Sequence, residues 1–156
     1  MKNTKSSRPW RGKFEKIIHY EIKPADNKTS TVGQGSMLIA TPALIAEIVN
    51  KVPEGKLITI PEIRRRLAAK MGADFTCPLT TGIFLRIAAE TAEEDKNHGE
   101  KYIIPYWRVV REDGTLIDKF PNYPSLQSEY LSKEHLYIVP KGKSKLIVKD
   151  YEKFLI

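Results

Sequence analysis

The chain has 156 residues, 41% of them hydrophobic and 29% charged, with a mean hydropathy of -0.38, a composition that excludes a disordered or fibrous chain and suits one folded unit of ordinary size. No apolar run approaches the roughly 18 residues that a bilayer span needs. The single cysteine, Cys77, excludes a disulfide framework and a multi-cysteine zinc site, and His19, His98 and His135 have no metal-ligand spacing.

Lys and Arg outnumber Asp and Glu 26 to 19, for a net charge of +7 and a pI near 9.4. That balance favours polyanionic partners, nucleic acid first, although a soluble basic protein without such a partner would carry the same charge. The opening MKNTKSSRPWRGKFEK lacks the apolar stretch of a secretory signal, so a cytoplasmic location is expected.

Residues 1–35 read as a basic arm and linker, with Trp10, Phe14, Ile17, Ile18 and Ile22 among lysines and a polar run NKTSTVGQGS over 27–36. A helix or a strand around Phe14 to Ile22 fits equally well. The folded domain is expected over residues 36–156. Thr41 and Pro42 offer an N-cap and a first helical residue, and Leu44, Ile45, Ile48 and Val49 then share one face, predicting a helix over 42–50. Thr59 and Glu62 have capping-box spacing ahead of a second helix over 60–70 that buries Ile63, Leu67 and Met71.

Met71-Gly72-Ala73-Asp74 closes that helix, and Thr76-Cys77-Pro78 opens a third, running to about Asp95, in which Leu79, Ile83, Phe84, Ile87 and Ala88 recur at helical intervals. The second and third helices make a helix-turn-helix candidate with the third as recognition helix. Tyr102 to Ile104 and Arg108 to Val110, then Thr115 to Ile117 beyond Asp113-Gly114, read as strand and hairpin. A fourth helix over 123–133 and a basic hairpin, Leu136 to Val139 and Leu146 to Val148 around Pro140 to Lys145, complete the chain. The hairpin suits a wing.

Ile104-Pro-Tyr-Trp-Arg-Val-Val110, followed by Glu112-Asp-Gly-Thr-Leu116, resembles the active-site segment of the methylated-DNA protein cysteine methyltransferases, whose motif reads Pro-Cys-His-Arg-Val. Val52 to Thr59 is similar to that family's Pro-x-Gly-x-Val-x-Thr-Tyr-Gly segment. Phe120, Gln127, Tyr130-Leu131 and Glu134 follow its tyrosine, lysine, leucine and glutamate series in order, and the likeness covers about residues 37–140. It implies an α+β fold, the winged helix-turn-helix DNA-binding domain of the alkyltransferase type.

The departures decide the implied chemistry. The family attacks the alkyl group on an extruded guanine with a cysteine thiolate, activated by a histidine that a glutamate orients. Tyr106 stands at the cysteine position and Trp107 at the histidine position. A phenol with a pKa of about 10 is a poor nucleophile at neutral pH, and an indole is no base. Ile60 replaces the tyrosine that follows the family's threonine, and Gly82 the arginine finger on its recognition helix. The resemblance therefore implies a non-catalytic, alkyltransferase-like protein with a vestigial pocket of Ile60, Pro105, Tyr106, Trp107, Arg108 and Glu134.

Its DNA-facing residues would be Arg64, Arg65 and Arg66 on the second helix, and Thr80, Thr81, Gly82 and Arg86 on the third. Lys141, Lys143 and Lys145 in the hairpin complete that set. Cys77 reads as a small capping or core residue. The acids Glu90, Glu93, Glu94 and Asp95 confine any groove contact to the first half of the recognition helix. The implied partners are double-stranded DNA, alkylated or distorted, and a repair protein, with no membrane, metal or other cofactor. Two other readings stay open: a winged-helix protein-interaction module with no DNA role, and residual alkyl transfer by another residue.

Overall fold

The computed structural model describes residues 8–26 and 33–156. Its elements, in chain order, are α1 (Pro9–Lys16), β1 (Glu21–Pro24), β2 (Ser36–Ile39), α2 (Pro42–Asn50), β3 (Ile58–Thr59), α3 (Ile60–Met71), β4 (Phe75–Thr76), α4 (Pro78–Asn97), β5 (Val109–Val110), α5 (Ser125–Lys133), β6 (Ile138–Lys141) and β7 (Lys145–Val148). Short 3-10 turns lie at Tyr106–Arg108 and Tyr151–Phe154. The class is α+β, as expected. No helix among the described residues is long and apolar enough to cross a membrane.

The helix starts follow local capping chemistry. Thr41 Oγ1 accepts from Leu44 N–H at 3.2 Å and Thr59 Oγ1 from Glu62 N–H at 3.3 Å, each satisfying a donor that the first turn leaves over. Gly72 ends α3 in the left-handed conformation, open to a residue without Cβ. Both α3 and α4 pack on α2. Between them β4 pairs in parallel with β2, so the connection is a short sheet excursion rather than a tight turn. Ile45, Val49, Ile63, Leu67, Leu85 and Ala88 form the centre of the core.

The region expected as a basic arm, with a helix or a strand around Phe14 to Ile22, carries both and packs on the domain. α1 docks on α4, and β1 pairs antiparallel with β2, Ile22 opposite Leu38, so packing does not stop at residue 36. Trp10 N–H and Arg11 N–H donate to the two Glu94 carboxylate oxygens at 3.0 and 2.9 Å. Arg11 also pairs with Asp95, whose side chain is 7% exposed. A carboxylate at the positive end of α1 replaces the missing side-chain cap. The acids late in α4 thus hold α1. The polar run over 27–36 lies largely outside the described residues.

The segment before α5 also departs from expectation. The turn at Asp113-Gly114 forms, with Thr115 N–H and Oγ1–H on Asp113 Oδ1 and Gly114 at φ +82°, where a Cβ would lie 2.3 Å from the Tyr151 ring. The flanking strands do not pair with each other: β5 runs parallel to β3, Thr115 bridges Ile147, and Tyr102 to Ile104 forms no strand. Buried Gln127 joins the two flanks instead. Its amide N–H groups donate to the Trp107 and Val109 carbonyls at 3.1 and 2.8 Å, and its oxygen accepts from Ile117 N–H at 3.2 Å. A side chain has taken the place of a ladder. The β6–β7 hairpin forms as predicted, Lys141 opposite Lys145.

Candidate nucleic-acid interface and the Tyr106 cluster

The expected pocket set separates into two places. Pro105, Tyr106 and Trp107 are buried, Tyr106 completely. The Tyr106 ring meets Trp107, Phe120 and Tyr130 edge-on at 5.5, 5.1 and 6.2 Å, and its hydroxyl donates to Glu93 Oε2 at 2.9 Å. Of the two places a ring at this position can take in a vestigial pocket, lining it or filling it, Tyr106 takes the second. A large ring with three aromatic neighbours is core, and its one polar atom is satisfied.

Trp107 stacks on Tyr130 at 4.2 Å and donates from Nε1 to Glu134 Oε2 at 2.7 Å. Arg108 grips the same carboxylate, with Nε 3.0 Å from Oε1 and Nη2 2.9 Å from Oε2, and donates from Nη1 to the Val52 carbonyl at 2.8 Å. Gly55 N–H adds a fourth donor group at 2.8 Å. Burial pushes the Glu134 carboxyl up, but Arg108, Gly55 and Trp107 together hold it below its ordinary value. Glu134 is the clasp between the α5 end and the loop after α2.

This arrangement offers no nucleophile at Tyr106. Burial first, then the neighbouring Glu93 charge, drives its phenol far above the ordinary value, so the hydroxyl stays protonated. Cys77 is buried and its side chain makes no cap bond to α4; the Thr81 hydroxyl instead donates to the Cys77 carbonyl at 2.6 Å. Among the described residues no group of three or more His, Cys, Asp and Glu stands together to hold a metal ion.

Ile60 lies elsewhere, in an open groove of about 380 Å3 that it shares with Pro78, Leu79, Gly82, Ile83, Arg86, Arg111, Lys119 and Phe120. Phe120 is the partition: its ring touches Tyr106 on one side and lines the groove on the other. Of the apolar residues that recur along α4, Leu79 and Ile83 do not share the buried face, being 72% and 49% exposed. Thr81, Phe84, Leu85, Ala88, Ala92 and Asp95 are buried instead. At about 100° per residue these buried positions cluster on one side and 79, 82, 83, 86 and 90 on the other. That wheel was the available signal.

The predicted DNA-facing residues divide in the same way. Arg65 and Arg66 both bind Glu62, Nε to carboxylate at 2.7 and 2.8 Å; the Arg65 bond is the main reason that Glu62 falls to about 2. Arg64 has no acid partner among the described residues and lines a separate hollow with Pro61 and Thr76. Thr81 is fully buried, so it has no path to a phosphate, whereas Thr80 is half-buried. Gly82 is exposed with open space above it. Arg86 is exposed, its guanidinium 5.6 Å from the Trp10 ring.

In the hairpin, Lys141 pairs with Asp113 at 3.1 Å, while Lys143 and Lys145 are exposed without an acid partner among the described residues. Lys119 and Arg111 were missed at the sequence level, being isolated cations in a loop. Arg111, paired with Asp118 at 2.6 Å, lines both the α4 groove and the hollow beside Ser144 and Lys145. The groove and the hairpin tip are thereby contiguous.

No family model matches the sequence, and no curated protein matches it. Two solved structures similar in chain path are S. pombe Atl1 in complex with damaged DNA containing O6-carboxymethylguanine, at 18% identity and a TM-score of 0.46, and S. pombe ATL in complex with DNA, at 19% identity and a TM-score of 0.47. Each likeness covers 74% of this chain and 93% of the other.

Proposed function

We propose that this chain is a non-catalytic DNA-binding protein of winged-helix type. In this reading α4 presents its first half to the duplex, the β6–β7 hairpin is the wing, and distorted or alkylated base pairs are sensed through their weakened stacking. The observation that carries the reading is the run of cations Arg86, Lys119, Arg111 and Lys145 along the α4 groove and the hollow that adjoins it: the groove's lining has no acid, and the one acid lining the hollow, Asp118, is paired with Arg111. The acids of α4 lie on its other half, where Arg11 and the α1 N-terminus occupy Glu94 and Asp95. DNA phosphates are matched to such a rim.

Arg86, Lys119, Lys143 and Lys145 make about four phosphate contacts, so log K should fall against log salt with a slope of about -3 to -4. Fluorescence anisotropy of a labelled duplex over a salt series measures it. The triple variant K119A/K143A/K145A should flatten the slope by about 2 to 3. A flat response in the wild type would remove DNA and favour the protein-interaction reading. Duplexes with an O6-alkylguanine or a plain mismatch should bind alike, because Tyr106 leaves no base cavity at its position and both duplexes stack weakly. A clear preference for the alkylated base over the mismatch would contradict sensing through stacking.

A further inference from the structure

On the exposed side of α4, Leu79 and Ile83 stand one turn apart, 72% and 49% exposed. Gly82 lies beside them with no atom within 4 Å of where its Cβ would be, leaving a notch in the helix surface. Large apolar side chains at such exposure lose free energy to water, and nothing in the described residues covers these two. Every charged residue lining the same groove is a cation: Arg86, Arg111 and Lys119. An apolar pair set inside a cationic rim is complementary to a polyanion with an apolar interior reachable from its surface. A base-paired duplex has that character, with phosphates outside and stacked bases within.

Resting on the DNA-binding reading above, we infer that Leu79 and Ile83 form a wedge that enters the minor groove and partly unstacks one base step. Apolar side chains used in this way kink the duplex and recover the unstacking cost through added contact with the bent backbone. The notch at Gly82 lets a sugar-phosphate strand approach the helix between the wedge and Arg86. The backbone N–H groups of Leu79 and Thr80, in the uncapped first turn of α4, and the Lys119 ammonium are then close to the phosphates that flank the opened step. Steps that already stack poorly are the cheapest to open, which gives the wedge its preference for distorted sites. An apolar segment of a partner protein is the competing occupant.

The test uses the full chain with a duplex carrying 2-aminopurine at its centre and a fluorescence energy-transfer pair at its ends. At saturation the wild type should raise the aminopurine emission by about two-fold or more and bring the ends closer, as an unstacked and kinked step requires. The double variant L79A/I83A changes two exposed side chains and should keep the wild-type circular dichroism and melting temperature. At its own saturating concentration it should leave both signals at the free-duplex level. Wild-type binding without a rise in emission, or an unchanged rise in the variant, overturns the wedge while leaving the DNA reading intact. Failure of the wild type to bind the duplex at low salt overturns both, and assigns the apolar pair to a protein partner.

Discussion

Glu134→Ala is expected to lower the unfolding free energy by about 3–5 kcal/mol, the usual cost of removing one partner from a buried ion pair. The Glu134 side chain is 6% exposed and Arg108 is 15% exposed, so truncation leaves a guanidinium with its charge uncompensated and Trp107 Nε1 without an acceptor. For a domain stable by 5–15 kcal/mol, that is a large fraction. Urea denaturation at pH 7 measures it. The pH dependence has a fixed sign: the folded carboxyl is held below its ordinary value of 4.5, so its contribution is complete above that pH and is lost as pH falls through the folded value. The gap between wild type and variant should narrow in acid. A gap that is small at pH 7, or that widens in acid, would show that the clasp does not hold α5 to the loop after α2.

Restoring a thiol and an imidazole where Tyr106 and Trp107 stand should fail in two ways. Tyr106→Cys removes a completely buried ring from three aromatic neighbours and leaves Glu93 without its hydroxyl donor, at a cost of about 3–5 kcal/mol from the cavity alone. Trp107→His removes the stack on Tyr130 and the hydrogen bond to Glu134. The new thiol would also lie behind Phe120, on the far side from the groove. The double variant should therefore take up no alkyl group from an O6-alkylguanine duplex. Intact-protein mass after long incubation at low temperature, with circular dichroism to confirm folding, checks this. A mass gain equal to the alkyl group, mapped to the introduced cysteine, would show that an extruded base reaches past Phe120.

What the sequence revealed was mostly local. Thr41-Pro42, Thr59 with Glu62, and Gly72 act within one helical turn, so their residue types alone place the ends of α2 and α3. The Lys141 to Lys145 hairpin is likewise written in a short stretch. The docking of α1 depends on Glu94 and Asp95, more than eighty positions away, and nothing near Trp10 announces it beyond its spacing to Phe14 and Ile17. Tyr102 to Ile104, expected as a strand, forms none, and the carbonyls of Trp107 and Val109 just beyond it are held by Gln127 from α5, nearly twenty positions away.

At the candidate interface, residue identity was a poor guide to availability. Arg64, Arg65 and Arg66 look equivalent, yet Glu62 occupies two of them. Thr80 and Thr81 are adjacent, yet only Thr80 has any exposure. Leu79 and Ile83 recur along α4 with Phe84, Ile87 and Ala88, yet they are its most exposed apolar pair. Burial is a property of the helix wheel and of what packs on it, and the wheel could have been drawn from the chain alone. The plugging by Tyr106 could not, since a ring in that position lines a cavity or fills it according to what Phe120 and Tyr130 leave open.

In the proposed complex the first half of α4 and the β6–β7 hairpin face the duplex. Backbone amide NMR of the labelled full chain, titrated with a short unmodified duplex, tests it most directly. Shift changes are expected at residues 79–86, at Lys119 and at residues 142–145, with α1 and the Glu93 to His98 region of α4 unmoved. Changes centred on α1 and that region, or no change at saturating duplex in low salt, would contradict it.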